Sequence, residues 1–126
     1  MKICITASGQ GLNARADERF GRAPFFVIVD SETMQHETIM NPAMDAQQGA
    51  GIAAAQAIAQ KGVKVLLTGF VGPKAYVALQ AAGITIFDGI VSSIDIRTAL
   101  KLHTDGILHQ CSSANARNGA SGRGGS

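Results

Sequence analysis

The sequence predicts an α/β domain: a mixed five-stranded sheet flanked by helices, in the order β-β-β-α-β-α-β-α. Three observations carry this expectation. Strand-like segments precede any helical one, alanine-rich helical stretches then alternate with short apolar runs, and glycine or proline stands at most junctions. With 46% hydrophobic and 16% charged residues, the chain has enough apolar material to bury a core.

Residues 2–8, KICITAS, place Ile3, Ile5 and Ala7 on one side and Cys4, Thr6 and Ser8 on the other, which is strand periodicity. The glycine-rich, charged stretch 9–23 reads as a long loop. PFFVIVD at 24–30 and QHETIM at 35–40, separated by a short polar turn, read as a β-hairpin. Asn41-Pro42 disfavours continuation of the second strand. IAAAQAIAQK at 52–61 is built from strong helix formers and is closed by Gly62. KVLLT at 64–68 is almost continuously apolar, as in a strand buried on both faces beside a parallel neighbour. Pro73 suits the first position of a helix whose buried side carries Val77, Leu79 and Ala82 and which ends at Gly83. ITIFDG at 84–89 is a further short strand, and Ser92 or Ser93 is placed to cap a last helix through SIDIRTALKLH, with Asp95 near its start. These elements form a single domain over 1–111. The composition then collapses to glycine, serine, asparagine and alanine, so 112–126 is expected to be a disordered tail.

Charge and motif content remove several function classes. Of 11 basic residues, Arg117 and Arg123 fall in the tail, leaving residues 1–116 with nine basic and nine acidic side chains. No nucleic-acid footprint is expected from that balance. No apolar run approaches the ~20 residues of a membrane helix and no signal peptide precedes the first strand, so a cytoplasmic protein is expected. Cys4 and Cys111 have neither zinc spacing nor the density of a disulfide scaffold. The acidic residues fall singly, the first strand offers no carboxylate for a two-metal nuclease, and no nucleophile–base pair stands out, so the protein is expected not to be an enzyme. His103, His109 and Cys111 form a loose series that matches no standard metal site.

Three loops combine glycines with hydrogen-bond donors: 8–23, QQGAG at 47–51, and GFVGPKA at 69–75. The second opens a helix and the third leads from a buried strand into one, so each presents backbone N–H groups at the positive end of a helix dipole. If they converge at the carboxyl edge of the sheet, as ligand loops do in such folds, they form a cradle flanked by Arg15, Arg19, Arg22 and Lys74, with an anion as its preferred guest. Phe20 and Met44 are candidates for an apolar wall, and Met40 stands near the same loop. Taken singly, Gly69 and Gly72 read equally as turn residues, and the arginines as solvated charges balancing Asp17 and Glu18. No phosphate-loop or dinucleotide fingerprint is present.

RFGRAPFFVIVD at 19–30, GAGIAAAQAIAQKGVKVLLTG at 49–69 and GPKAYVALQAAGI at 72–84, in this order and with Asn41-Pro42 between the first two, resemble the dinitrogenase iron-molybdenum cofactor biosynthesis family. That family includes nitrogenase cofactor-carrier accessory proteins and molybdenum-copper-binding orange proteins. The similarity spans roughly residues 1–108. It implies a ribonuclease-H-like fold without nuclease activity, used to bind or carry a metal–sulfur cluster. Family members often carry histidine just before FGRAP and just before GAG; Arg19 and Gln48 stand there in this sequence. The expected function is non-catalytic binding or carriage of an anionic molybdenum–sulfur or molybdenum–copper–sulfur cluster, or alternatively of an iron-molybdenum cofactor precursor. Arg19 and Arg22 would supply charge, Gln48, Gly49 and Gly51 would donate from a helix start, and Gly72 and Lys74 would close the far side. Protein partners in delivery or regulation are compatible with this expectation. The alternative is a regulatory or scaffolding module whose pocket is vestigial or holds a phosphate metabolite.

Overall fold

A computed structural model describes residues 1–112. The expected tail lies outside the described residues except for Ser112, whose carbonyl accepts a 2.7 Å hydrogen bond from the Tyr76 hydroxyl. Eight elements follow in the expected order: β1 Lys2–Ala7, β2 Phe25–Asp30, β3 His36–Met40, α1 Ala50–Gln60, β4 Val63–Leu67, α2 Pro73–Ala81, β5 Thr85–Phe87 and α3 Ile96–Thr104.

The five strands form one mixed sheet in the order β3-β2-β1-β4-β5. β1 pairs antiparallel with β2 and parallel with β4, and β4 pairs parallel with β5. A hairpin through β2 and β3 therefore extends one side of β1, while the strand–helix alternation of the second half extends the other. β4 is buried at four of its five positions, which explains its unbroken apolar run.

The alternation of β1 sorts its residues between two cores. Ile3, Ile5 and Ala7 pack with Ile96 and Ala99 of α3. Cys4 faces the other layer, with Ala54 and Ile58 of α1 and Leu79 of α2. Burial pushes the Cys4 thiol well above its ordinary pKa, so it is a neutral apolar filler and not a thiolate.

Two local expectations are corrected. Val77 is 66% exposed and Ala82 is also exposed; α2 buries Ala75 and Leu79, which lie four residues apart on one face. The cap of α3 is Asp95, whose carboxylate accepts from the Thr98 N–H at 2.8 Å, in place of Ser92 or Ser93. Ser92 and Ser93 lie in a turn ahead of the helix, where the Ser92 N–H donates to the Glu18 carboxylate at 3.0 Å.

Candidate functional site

The carboxyl ends of β1 and β4 and the amino ends of α1 and α2 meet at one edge of the sheet, and glycine makes the approach possible. At Gly51, a Cβ would lie 2.7 Å from the Cβ of Ala75, so α1 and α2 touch at their first turns only because that position has no side chain. Gly21, from the loop after β1, packs on the same spot, where its Cβ would lie 3.0 Å from the Gly51 nitrogen. At Gly69 a Cβ would lie 2.6 Å from the backbone of Glu18, whose carbonyl accepts from both the Gly69 N–H (3.1 Å) and the Phe70 N–H (2.9 Å). Three segments distant in sequence are thereby fastened together.

Between them lies a pocket of about 650 Å³. Arg19, Phe20, Gly21 and Arg22 form one side, 49–52 the second, and Phe70 with 72–75 the third. Seven of the nine residues expected from the sequence line it: Arg19, Phe20, Arg22, Gly49, Gly51, Gly72 and Lys74. Met44 and Gln48 do not, nor does Met40, which is 73% exposed on the outer strand. Met44 and Gln48 belong to the loop that leads into α1, and the chain turns into the pocket wall only at Gly49. Arg15 is also elsewhere: its backbone forms an isolated antiparallel bridge with that of Asp95 and its guanidinium donates to the Ser93 carbonyl, on the side of the sheet that carries α3.

Both helices begin without a side-chain cap. Their first intrahelical donors are Ala53, to the Gly49 carbonyl, and Tyr76, to the Gly72 carbonyl, each at 2.9 Å. The preceding N–H groups are those of Ala50, Gly51 and Ile52 in α1 and of Lys74 and Ala75 in α2, since Pro73 has none. None of these five finds an acceptor among the described residues, and all five residues line the pocket. Ala50 and Ala75 are nonetheless buried, at 7% and 5% exposure. Two positive dipole ends therefore open into one cavity.

The three cations differ in their attachments. Arg19 grips Asp17 through two parallel hydrogen bonds, Nε to Oδ1 at 3.1 Å and Nη2 to Oδ2 at 3.0 Å. That hydrogen bonding and the nearby charge raise the Arg19 pKa. Arg22 donates from Nη1 to the carbonyls of Met44 (2.8 Å) and Ala46 (2.6 Å). Lys74 has no ion pair or hydrogen bond among the described residues and is exposed. No acidic residue is among those lining the pocket.

Phe20 is 2% exposed and stacks on Phe26 with ring centroids 5.8 Å apart, so it floors the pocket as part of the core. Half-buried Ile52 and Phe70 supply the accessible apolar surface. Sequence reasoning missed both, together with the N–H groups of Ala50 and Ala75. The signal available was positional: each follows a singled-out glycine by one to three residues.

The donor set does not suit a bare metal ion. Among the described residues no group of three or more His, Cys, Asp or Glu side chains could hold one. His103 packs edge-on against Phe87 at 4.9 Å, while Cys111 is buried in the opposite core with Cys4, so the C-terminal histidine–cysteine series is split across the sheet. No helix among the described residues is long and apolar enough to cross a membrane.

A mixed five-stranded α/β fold with a cationic, thiolate-free pocket at its sheet edge is the class that these features define. The chain belongs to the dinitrogenase iron-molybdenum cofactor family, which it matches over residues 1–106. Among solved structures it is similar to the apo form of the orange protein from Desulfovibrio gigas, at 44% identity and a TM-score of 0.88, covering 91% of this chain and 96% of that one. It is also similar to a Thermotoga protein of the DUF35 family, at 27% identity and a TM-score of 0.80, covering 93% and 98% respectively. An uncharacterised Methanocaldococcus jannaschii protein, MJ0580, is 34% identical over 113 residues, covering 87% of this chain and 91% of that protein.

Proposed function

We propose that the protein binds and carries an anionic metal–sulfur cluster, without catalysis, in the pocket between the first turns of α1 and α2. The observation that carries this reading is the donor set: Arg19, Arg22, Lys74 and five unpartnered backbone N–H groups surround a cavity with no carboxylate in its lining. Such a site suits a guest that brings its own ligands and arrives with net negative charge. A molybdenum–sulfur or molybdenum–copper–sulfur cluster, already sulfide-ligated, meets that description, and an iron-molybdenum cofactor precursor is the alternative cargo that the family's name supports.

In this reading Arg19, Arg22 and Lys74 supply charge, the helix starts at 49–51 and after Gly72 supply backbone donors, and Phe20, Ile52 and Phe70 exclude water from the cluster's flank. Each charge-assisted contact would contribute ~1.5 to 3 kcal/mol, so a few together support tight retention. Gln48 and Met44 have no part in the first contact.

The test is reconstitution of the apoprotein with tetrathiomolybdate and copper, followed by gel filtration. A visible charge-transfer band that elutes with the protein is expected, and loss of all colour and metal on the column would overturn the reading.

A regulatory or scaffolding module is favoured by one observation: Arg19 and Arg22 are already engaged by protein groups, as in a pocket that has lost its guest. The double variant Arg19→Ala, Lys74→Ala separates the two readings. A carrier loses cargo retention, whereas an interaction module keeps its partner.

A further inference from the structure

The Asn41-Pro42 turn does more than end β3. Asn41 is 6% exposed. Its Nδ2 donates to the carbonyls of Gly21 (3.0 Å) and Ala23 (2.9 Å), one on either side of Arg22, and its Oδ1 accepts from the Ala43 N–H at 2.9 Å. Arg22 returns the connection, since its Nη1 donates to the Met44 and Ala46 carbonyls of the same loop. Segments 20–24 and 41–46 hold each other in a reciprocal clamp, one half buried and one half exposed.

A guanidinium carries five N–H donors in a rigid plane. Those on Nη1 are spent on the loop. The Nε–H and the Nη2 pair of Arg22 have no acceptor among the described residues, and Arg22 lines the pocket. We propose that Arg22 bridges the pocket and the 41–48 loop, so that an anion taken by its unpaired edge orders the loop through its paired edge, with Asn41 as the positioning residue that fixes the backbone of Arg22. This rests on the carrier reading and deepens it. In the empty protein the exposed guanidinium is held by two loop carbonyls at one edge, and its other edge is unrestrained. Once one edge is fixed by an anion, the planar group fixes the other. The outer surface of the loop, which presents Asp45, Gln47 and Gln48 to solvent, then reports whether the pocket is filled.

The test is amide hydrogen exchange across residues 42–48 in the full chain, empty and after loading with tetrathiomolybdate and copper. Loading is expected to slow exchange there about tenfold. Arg22→Lys keeps the charge but has no second edge, so it is expected to hold the cluster more weakly and, at cluster concentrations that saturate it, to show no loading-dependent slowing. Asn41→Ala is expected to exchange faster in both states; should it fail to fold, Arg22→Lys still decides the matter. A coloured wild-type complex with unchanged exchange, or slowing that persists in Arg22→Lys, overturns the coupling alone. Absence of any coloured complex overturns the coupling together with the carrier reading.

Discussion

The first turn of α3 and the first turns of α1 and α2 solve the same problem in opposite ways. In α3 the Asp95 carboxylate closes the helix start by accepting from Thr98, and the start lies away from the pocket. In α1 and α2 glycine stands at the cap position, nothing from a side chain accepts, and both starts open into the cavity. With glycine at the cap, each uncapped start forgoes only a few tenths of a kcal/mol relative to a polar cap. The bare ends are localised: the helix that serves the core alone is capped, and the two helices that share a cavity leave their donors open to it.

The largest effect is expected from turning a bare start into a capped one. Gly72 has φ −73° and ψ 168°, and a Cβ there meets nothing within 4 Å, so Gly72→Asp fits a normal N-cap. It should raise the melting temperature slightly while weakening cluster retention about a hundredfold, because the new carboxylate occupies the donors and repels an anion. Calorimetry and a retention assay on the same sample check both signs; unchanged retention would dissolve the contrast. Lys74→Ala comes next, removing the cation that has no protein partner, with about a tenfold loss of retention and no change in melting temperature.

Smaller again is Asp95→Ala, which should lower the melting temperature by a few degrees and leave retention intact. The hydrogen bonds from Thr98 hold the Asp95 pKa below its ordinary value. A depressed carboxylate pKa means that the contribution of this cap is present above the unfolded-state pKa and is lost as pH falls through the folded one. Acid unfolding followed by circular dichroism should therefore show the wild type and Asp95→Ala converging at low pH and separating as pH rises through the carboxylate range. A constant gap at every pH would show that the ionised form is not what caps the helix.

The order of elements was legible because it rests on short-range periodicity. The β1 alternation that separates Ile3 and Ile5 from Cys4, and the apolar run of β4, each reflect burial on known faces. The pocket was legible to the extent that glycine and positive charge cluster in three loops. What escaped were facts set by distant partners. Arg15 sits in the same loop as Arg19, but a backbone bridge to Asp95 places it on the other side of the sheet. Ser92 resembles a cap, but its segment is a turn tied to Glu18, 74 residues away in sequence, and the helix begins only after Asp95. Met44 and Gln48 adjoin a glycine that does enter the wall, and nothing local marks where the chain turns inward. Phe70 lies in one of the three singled-out loops, but nothing local marks it as part of the pocket wall.

Gly21, Gly51 and Ala75 meet through main-chain atoms and a single methyl group, so the width of the cavity is fixed by parts that have no rotamers. Side chains around its mouth can be exchanged without moving that contact. A designer could retune which guest is accepted by changing Ile52, Phe70 or Lys74 on an unaltered chassis, whereas one methyl added at Gly51 would jam the frame for every guest alike.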